Sequence, residues 1–270
     1  MNKKKQRILY LAHRIPYPPN KGDKIRTFNE VKYLSQDHTI DLVCLADNIG
    51  DISYKKDLEA YCGQVFIFPL YVQLAKFRGI LSMLSGKAIS VGYFYQKKLQ
   101  QTVDRLLREN LYDALICFSS PMAEYIFRSE PYLGNKHESL RKETRLIMDF
   151  CDVDSDKWLQ YSCTAKFPMN LIYKMEYSRL FEYEKQINNS FDSSVFTTYK
   201  EVELFIKMSP AAKNLTAIPN GVDYQYFAPS ENYNLMICQN EGFVINDVHG
   251  KKHNLKGKGP FLLFTGAMDY

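Results

Sequence analysis

The residues best suited to chemistry lie in the loop that follows the first apolar segment of the chain. That segment, Arg7 to Ala12 (RILYLA), is typical of a strand buried on both faces of a parallel sheet. The loop and the start of the next helix hold His13, Lys21, Gly22, Asp23, Lys24 and Arg26. Open α/β sheets bind ligands beyond the carboxyl ends of their strands, and helix N-termini favour anions. These residues predict a ligand-binding edge; a proline-stiffened turn with solvated charges is the alternative.

Single residues of this loop suggest distinct roles. Gly22 would let the backbone approach a ligand, and Asp23 stands where it would cap the helix. His13 could reach into a cleft at the strand end, or serve only as a hydrogen-bonded turn residue. The chain contains neither G-x-G-x-x-G nor G-x-x-x-x-G-K-[ST], which disfavours a dinucleotide dehydrogenase and a P-loop NTPase.

A second candidate is the acidic run from Asp152 to Asp156 (DVDSD). Alternating carboxylates can bind calcium, but an EF-hand loop counted from Asp152 would need Gly and Glu where Lys157 and Cys163 stand. The two overlapping D-x-D triplets resemble a metal-binding motif that occurs in some glycosyltransferases. Structural capping of a helix is the favoured interpretation, because a helix dipole favours acidic residues in its first turn.

A third candidate is the basic and aromatic stretch from Gln73 to Lys98. It mixes large apolar residues with lysines and an arginine, a composition that suits contact with an anionic membrane. The alternative is a pair of helices packed on the sheet with a solvated basic face.

Strands and helices alternate along the chain, and this alternation positions the candidate residues. The predicted strands are residues 7–12, 39–46, 64–69, 114–118, 145–150, 194–198 and 215–218. The helical stretches between them are residues 23–34, 55–62, 73–84, 93–109, 157–189 and 200–208. Pro121, after Ser119 and Ser120, is placed to open a further helix. The alternation predicts an α/β fold, a Rossmann-like doubly wound parallel sheet.

Composition narrows the class of protein. The 270 residues are 46% hydrophobic and carry a formal net charge of +5, which suits an anionic partner without demonstrating one. Six cysteines without a C-x-x-C pair predict free thiols in a reducing cytosol, with Cys44 and Cys117 as small buried hydrophobes. The apolar run at residues 8–12 is too short for a signal peptide or a membrane span.

The last quarter of the chain predicts a hinge. The phrase Ile218 to Asp223 (IPNGVD) ends the first domain, and an apolar strand from Phe261 to Phe264 runs into Gly266. We therefore expect a domain at residues 1–229, a linker or insertion at 230–259, and at 260–270 the first strand of a truncated second domain.

Taken together, these segments resemble the N-terminal half of a glycosyltransferase of family 4, which has the GT-B fold. The nearest likeness is to sugar transferases of PEP-CTERM/exosortase exopolysaccharide systems. The matching pieces are HRIPYPPNKGDKIRTFNEVKYLS, LSGKAISVGYF, FSSPMAEYI, DFCDVDSDKW, YEKQINNSFDSSVFTTYKEVELF, IPNGVDYQYFAP and FLLFTGAMDY. They cover nearly the whole chain in order, and IPNGVD with the following YF-x-P is the most specific.

The resemblance implies roles for particular residues. An acceptor cleft would be lined by His13, Gly22, Asp23, Arg26, Ser119 and Ser120. The hinge would comprise Asn220, Gly221 and Asp223, and Gly266 would belong to the first donor-phosphate loop. No metal and no cofactor beyond the nucleotide-sugar donor are expected, and the catalytic residues are not assigned.

The resemblance also implies a function. Such enzymes transfer a sugar from a nucleotide-sugar donor, with retention, to a glycan or lipid-linked acceptor. Here we expect only the acceptor-binding half, at the cytoplasmic face of the membrane, with a separately encoded donor domain as a partner and no nucleic-acid partner. The alternative is a non-catalytic acceptor-binding module or an inactive truncated product. An unrelated Rossmann-like nucleotide binder is a weaker third hypothesis.

Overall fold

The computed structural model describes residues 5–130 and 144–221, together with the backbone of two short strands at residues 243–246 and 252–255. The chain divides into two compact units, Met1–Asn220 and Gly221–Tyr270. The predicted strand at residues 261–264 lies outside the described residues.

The first unit is built on a seven-stranded sheet in which every pair of neighbours is parallel. The strands are β1 (Arg7–Ala12), β2 (Thr39–Ala46), β3 (Gln64–Pro69), β4 (Ala114–Phe118), β5 (Arg145–Cys151), β6 (Ser193–Phe196) and β7 (Leu215–Ala217). Their spatial order is β3-β2-β1-β4-β5-β6-β7. The order runs outward in both directions from the β1–β4 pair, which confirms the predicted doubly wound sheet.

Helices connect these strands. They are α1 (Gly22–Leu34), α2 (Lys55–Glu59), α3 (Val72–Leu84), α4 (Ile89–Phe94), α5 (Lys97–Glu109), α6 (Glu124–Phe127), α7 (Asp154–Thr164), α8 (Met169–Ser190) and α9 (Tyr199–Met208). Two 3-10 helices, Ile49–Tyr54 and Ser120–Ala123, precede α2 and α6. Pro121 lies in the first turn of the second 3-10 helix, as predicted.

Two hydrophobic cores lie on the two faces of the sheet. Alternate side chains of β1 divide between them: Leu9 and Leu11 join the core that contains helices α5, α8 and α9, whereas Ile8 and Tyr10 join the core that contains α1 and α2. Burial on both faces explains why the central strands are continuous apolar runs. Cys44 and Cys117 are buried in these cores as predicted.

The helical stretches differ from the sequence prediction at two main places. The stretch expected at residues 157–189 is divided between α7, which ends at Thr164, and α8, which begins at Met169. The single helix expected at residues 93–109 is divided between α4 and α5, because the backbone at Tyr95 and Gln96 is extended. The amide nitrogen of Gln96 donates to the Tyr125 hydroxyl at 2.8 Å, and its side-chain nitrogen donates to the Pro69 carbonyl at 3.0 Å. These tertiary hydrogen bonds fix Gln96 outside the helical conformation.

The second unit contains an antiparallel pair, β8 (Phe243–Asn246) and β9 (Lys252–Leu255). A linker or insertion was predicted here, since only the first of the two strands is apolar. The pairing gives this stretch regular structure; its assignment as linker or insertion stays a prediction.

Candidate functional site

The predicted site residues gather at the carboxyl edge of the sheet, where β1 and β4 lie side by side. Ala12 pairs with Phe118 in the register of the two strands, so His13 and Ser119 leave the sheet next to each other. The chain after β1 leads to α1 on one face, and the chain after β4 leads to Met122 and Ile126 on the other. Such a divergence opens the crevice in which doubly wound proteins bind ligands.

His13 is held between two aromatic rings at this edge. Its imidazole stacks on Phe118 with ring centroids 5.8 Å apart and meets the edge of Phe94 at 5.5 Å. Its Nε2 lies 3.5 Å from an Asp23 carboxylate oxygen, while its buried Nδ1 has no hydrogen-bond partner within the described part of the chain. In the neutral imidazole, a carboxylate beside Nε2 favours the tautomer with the proton on that nitrogen, in which Nδ1 is a hydrogen-bond acceptor.

Asp23 interacts with residues of the loop after β1 and does not cap helix α1. Helix α1 begins at Gly22 with Lys21 as N-cap, so the sequence prediction of Asp23 as N-cap is wrong by two residues. The Asp23 carboxylate instead accepts a short hydrogen bond from Arg14, whose Nε lies 3.0 Å from Asp47. Burial raises the pKa of Asp23, but the His13 hydrogen bond and the Arg14 charge lower it more, so its pKa is well below the usual range. The carboxylate is therefore ionised at neutral pH.

Ser119 and Ser120 form the second side of the crevice. Ser119 has φ 73°, a conformation that costs a non-glycine residue about 1–3 kcal/mol. It is held there by its amide nitrogen, which donates to the Asp149 carbonyl at 2.8 Å. Ser120 is 1% exposed, and its hydroxyl has no hydrogen-bond partner among the residues described. An orphan buried hydroxyl costs about 1–3 kcal/mol and calls for an explanation.

Arg26 is turned into the protein and is only 6% exposed. Its Nε and Nη2 donate to one Asp149 oxygen at 3.0 and 2.7 Å. Its Nη1 donates to the Ile218 carbonyl at 2.8 Å and to the Asn220 side-chain oxygen at 2.9 Å. The guanidinium thus joins α1 to β5 and to the start of the hinge phrase, which makes it a positioning residue for the crevice.

Three polar residues around Arg26, namely Tyr10, Glu30 and Asp149, were not predicted from the sequence. The Glu30 Oε1 lies 3.0 Å from the Arg26 Nε, and its Oε2 accepts a hydrogen bond from the Tyr10 hydroxyl at 2.5 Å. Burial, followed by the neighbouring Asp149 carboxylate, raises the pKa of Glu30 to about 8. The signal that could have identified Asp149 is a carboxylate inside the otherwise apolar run of β5.

The backbone of β5 is also distorted at this edge. Cys151 has φ 67°, and the pairing of β5 with β6 shifts register between Asp149 and Cys151. The Cys151 amide donates to the Asp149 side chain at 2.9 Å. Asp149 therefore stabilises two residues of unusual conformation, Ser119 through its carbonyl and Cys151 through its carboxylate.

The remaining predicted residues are placed as follows. Gly22 has open space where a side chain would begin, so the backbone does not require glycine there. Lys24 is buried against Asp51 at 2.6 Å and is not available to a ligand. Of the hinge, Asn220 contacts Arg26 and Gly221 is exposed. Asp223 and Gly266 lie outside the described residues.

Two carboxylates of the acidic run after β5 form ion pairs with a lysine of the following helix. Lys157 lies 2.9 Å from Asp152 and 3.3 Å from Asp154, and Asp156 accepts from the Gln160 amide at 2.6 Å. Asp154 and Asp156 fall in the first turn of α7, where the helix dipole favours them. Within residues 5–130 and 144–221 no group of three or more His, Cys, Asp and Glu is arranged to hold a metal ion.

Comparison with solved structures gives weak likenesses. The N-terminal domain of trehalose-6-phosphate phosphatase from Candida albicans matches with TM-score 0.45 and 11% identity over 86% of this chain and 53% of that one. TcCGT1 in complex with UDP matches with TM-score 0.42 and 8% identity over 83% and 54%. Phytolacca americana UGT2, complexed with UDP-2-fluoro-glucose and pterostilbene, matches with TM-score 0.41 and 8% identity over 80% and 54%.

The chain spans about half the length of these three structures. Identities and TM-scores this low say nothing about function. No family model and no curated protein matches the chain. Function must therefore be inferred from the residues at the carboxyl edge.

Proposed function

We propose that residues 5–221 form the acceptor-binding half of a nucleotide-sugar-dependent glycosyltransferase that acts on a polysaccharide or lipid-linked acceptor. One observation carries the proposal: segments far apart in sequence, each belonging to the family resemblance, meet at the carboxyl edge beside unpartnered polar atoms. Arg26 of the first segment contacts Asp149 and Asn220, which are 123 and 194 residues away.

The unpartnered atoms suit a hydroxyl-bearing ligand. The His13 Nδ1 can accept a hydrogen bond, and the Ser120 hydroxyl can donate or accept one. A sugar hydroxyl both donates and accepts, so it could satisfy either group. Phe94, which is partly exposed beside His13, offers an apolar surface against which a sugar ring could pack. In this proposal His13 positions the acceptor hydroxyl, and the ionised Asp23 keeps the imidazole in the required tautomer.

The donor would be bound elsewhere. By the resemblance, the nucleotide-sugar diphosphate would meet a glycine loop beginning at Gly266, and transfer would proceed with retention and without a metal or cofactor. The proposal places this reaction at the cytoplasmic side of a membrane, where nucleotide sugars are made.

A binding measurement on serine variants tests the acceptor site. Ser120→Ala is expected to weaken binding of the oligosaccharide or polyprenyl-linked sugar that a glycan panel identifies for the full chain, by about tenfold for one lost hydrogen bond. Its unfolding free energy should be unchanged or slightly higher, because the removed hydroxyl has no partner.

Ser129→Ala is the matched control. Ser129 is 0% exposed and also has an unpartnered buried hydroxyl, but it follows α6 and does not belong to the carboxyl edge. Its binding should equal that of the wild type. Equal binding by Ser120→Ala and the wild type, or a chain that binds a dinucleotide but no sugar, would contradict the proposal.

A further inference from the structure

Helix α3 carries its large apolar side chains on the outside of the protein. Its buried residues are the small ones, Ala75, Gly79 and Ser82. The large residues are exposed: Leu74 57%, Phe77 58%, Ile80 51%, Leu81 49% and Leu84 74%. These five residues share one side of the helix by their spacing of three and four. Large apolar surface of this kind marks an interaction site.

The buried side of α3 has room only for small residues, so the large apolar side chains of this helix must face outward. Helix α3 packs on α4, and a Cβ added at Gly92 of α4 would lie 2.3 Å from the Ser82 Cβ and 2.7 Å from the Arg78 carbonyl. A Cβ at Gly79 would lie 2.9 Å from an Ile89 methyl group. The two helices approach too closely for α3 to turn its large side chains inward.

The stretch of chain that carries this face has charge of one sign. Between Glu59 and Asp104 the chain contains no acidic residue, although it has 30 in total. The same stretch contains five basic residues, namely Lys76, Arg78, Lys87, Lys97 and Lys98. Lys76 is exposed and precedes Ile80 by four residues, so a cation lies beside the apolar face. Lys97 and Lys98 are also exposed, whereas Arg78 donates to the Tyr93 carbonyl at 3.3 Å and Lys87 pairs with Glu124 at 2.9 Å.

We propose that the exposed face of α3 rests on the surface of an anionic lipid bilayer. An apolar helix face with flanking cations is the arrangement that inserts at the boundary of headgroups and acyl chains. A second copy of the chain is a poorer occupant, because it would place two faces of the same positive sign against each other. In the part of the chain that the structure describes, no helix is long and apolar enough to cross a membrane.

The surface also deepens the proposed function, on which this step rests. Helix α4 lies between α3 and the crevice: its Gly92 contacts α3, and its Phe94 contacts His13. A bilayer under α3 would lie next to the acceptor site. The class of acceptor that fits this geometry is a sugar carried on a membrane lipid.

Vesicle co-sedimentation of the full chain tests the surface without any sugar transfer. The probe is vesicles of phosphatidylcholine and phosphatidylglycerol in equal parts, with pure phosphatidylcholine vesicles for comparison. The wild type should bind the anionic vesicles more strongly and lose binding as salt is added. The triple variant Leu74→Ser, Phe77→Ser, Leu81→Ser and the variant Lys76→Glu should each bind about tenfold more weakly.

Two control variants alter exposed residues outside this face. Leu111 is 74% exposed, and Lys207 is exposed on α9. Leu111→Ser and Lys207→Glu should bind vesicles as the wild type does, and circular dichroism should show all variants folded. Equal binding by the triple variant and the wild type would overturn the proposal. A dimer of the wild type that the triple variant abolishes, without vesicle binding, would assign the face to a second copy instead. A failed transfer assay would leave the vesicle result unchanged, so the two proposals fail separately.

Discussion

Arg26 shows how a single buried side chain can organise the candidate site. Its side chain is 4% exposed and that of Asp149 is 5% exposed, so the pair is held away from water. The same guanidinium reaches the Asn220 side chain at the start of the hinge phrase. Through Asp149 it is linked to the unusual backbone of Ser119 and Cys151, so its removal should affect stability and the crevice together.

The substitution Arg26→Gln is expected to lower the free energy of unfolding by about 3–5 kcal/mol, because it leaves a buried carboxylate without its charge partner. Urea denaturation measures the change. The control is Arg108→Gln, whose arginine is 54% exposed and forms a surface pair with Glu130 at 3.5 Å. That pair is worth about 1 kcal/mol or less. A loss for Arg26→Gln no larger than for the control would refute the positioning role.

The sequence did not disclose this residue network. Arg26 was expected to line the acceptor cleft, because it lies in the loop that the resemblance assigns to the cleft. Its partner Asp149 is 123 residues away, and such a pairing depends on the order of strands in the folded sheet. The sequence shows Asp149 only as a charged residue in an apolar run. It does not show that Arg26 is the partner of this carboxylate.

At the scale of secondary structure, the central strands were the most predictable elements. The predicted bounds of β1, β2, β3 and β4 match the structure residue for residue. Strands β1, β2 and β4 are buried on both faces and are therefore largely apolar runs, whereas β3 is a half-buried strand at the edge of the sheet. The break between α4 and α5 was missed, since it depends on hydrogen bonds from Gln96 to Tyr125 and Pro69. The pairing of β8 with β9 was missed because the second strand, KHNL, is polar.

The contact of α7 with α8 predicts a dependence of stability on pH. Glu184 of α8 is fully buried and accepts the amide nitrogen and hydroxyl of Ser155 at 3.1 and 2.5 Å. Burial, the largest cause, raises the pKa of Glu184 to about 8 from its ordinary 4.5. Between about pH 4.5 and about pH 8, the Glu184 carboxyl is therefore protonated in the folded state and ionised in the unfolded state. The resulting stability is present below about pH 4.5 and is lost as the pH rises through about 8.

The substitution Glu184→Gln should make the free energy of unfolding fall less steeply between about pH 5 and about pH 8, since it removes the titrating group and keeps the hydrogen bonds. Glu182→Gln serves as the control, because that side chain is 67% exposed and pairs with Lys185. Glu30, whose pKa is also raised to about 8, contributes a pH dependence of stability of the same sign. The free energy of unfolding of Glu184→Gln should therefore still fall somewhat as the pH rises. Identical slopes for Glu184→Gln and the wild type would contradict this assignment.

At the scale of the whole molecule, two surfaces of the first unit carry the proposals. The crevice at the β1–β4 switch point is the proposed acceptor site, and the exposed face of α3 is the proposed bilayer contact. The location of the crevice could be predicted from the sequence, because the loop after the first apolar strand must lie at the carboxyl edge. The sequence indicated residues 73–98 as a candidate membrane contact, but which side of α3 faces outward depends on the close approach of α3 and α4.

The central claim is that this chain supplies the acceptor site of a glycosyltransferase. The most direct measurement is sugar transfer from common nucleotide sugars by the chain combined with a donor-binding domain supplied in trans, with a membrane lipid extract as acceptor. The account predicts transfer by the wild type and by Ser129→Ala, and strongly reduced transfer by His13→Ala and Ser120→Ala. Binding of acceptor without transfer would favour a non-catalytic module. A demonstrated complex that transfers no sugar from any of these donors and binds no acceptor would contradict the account.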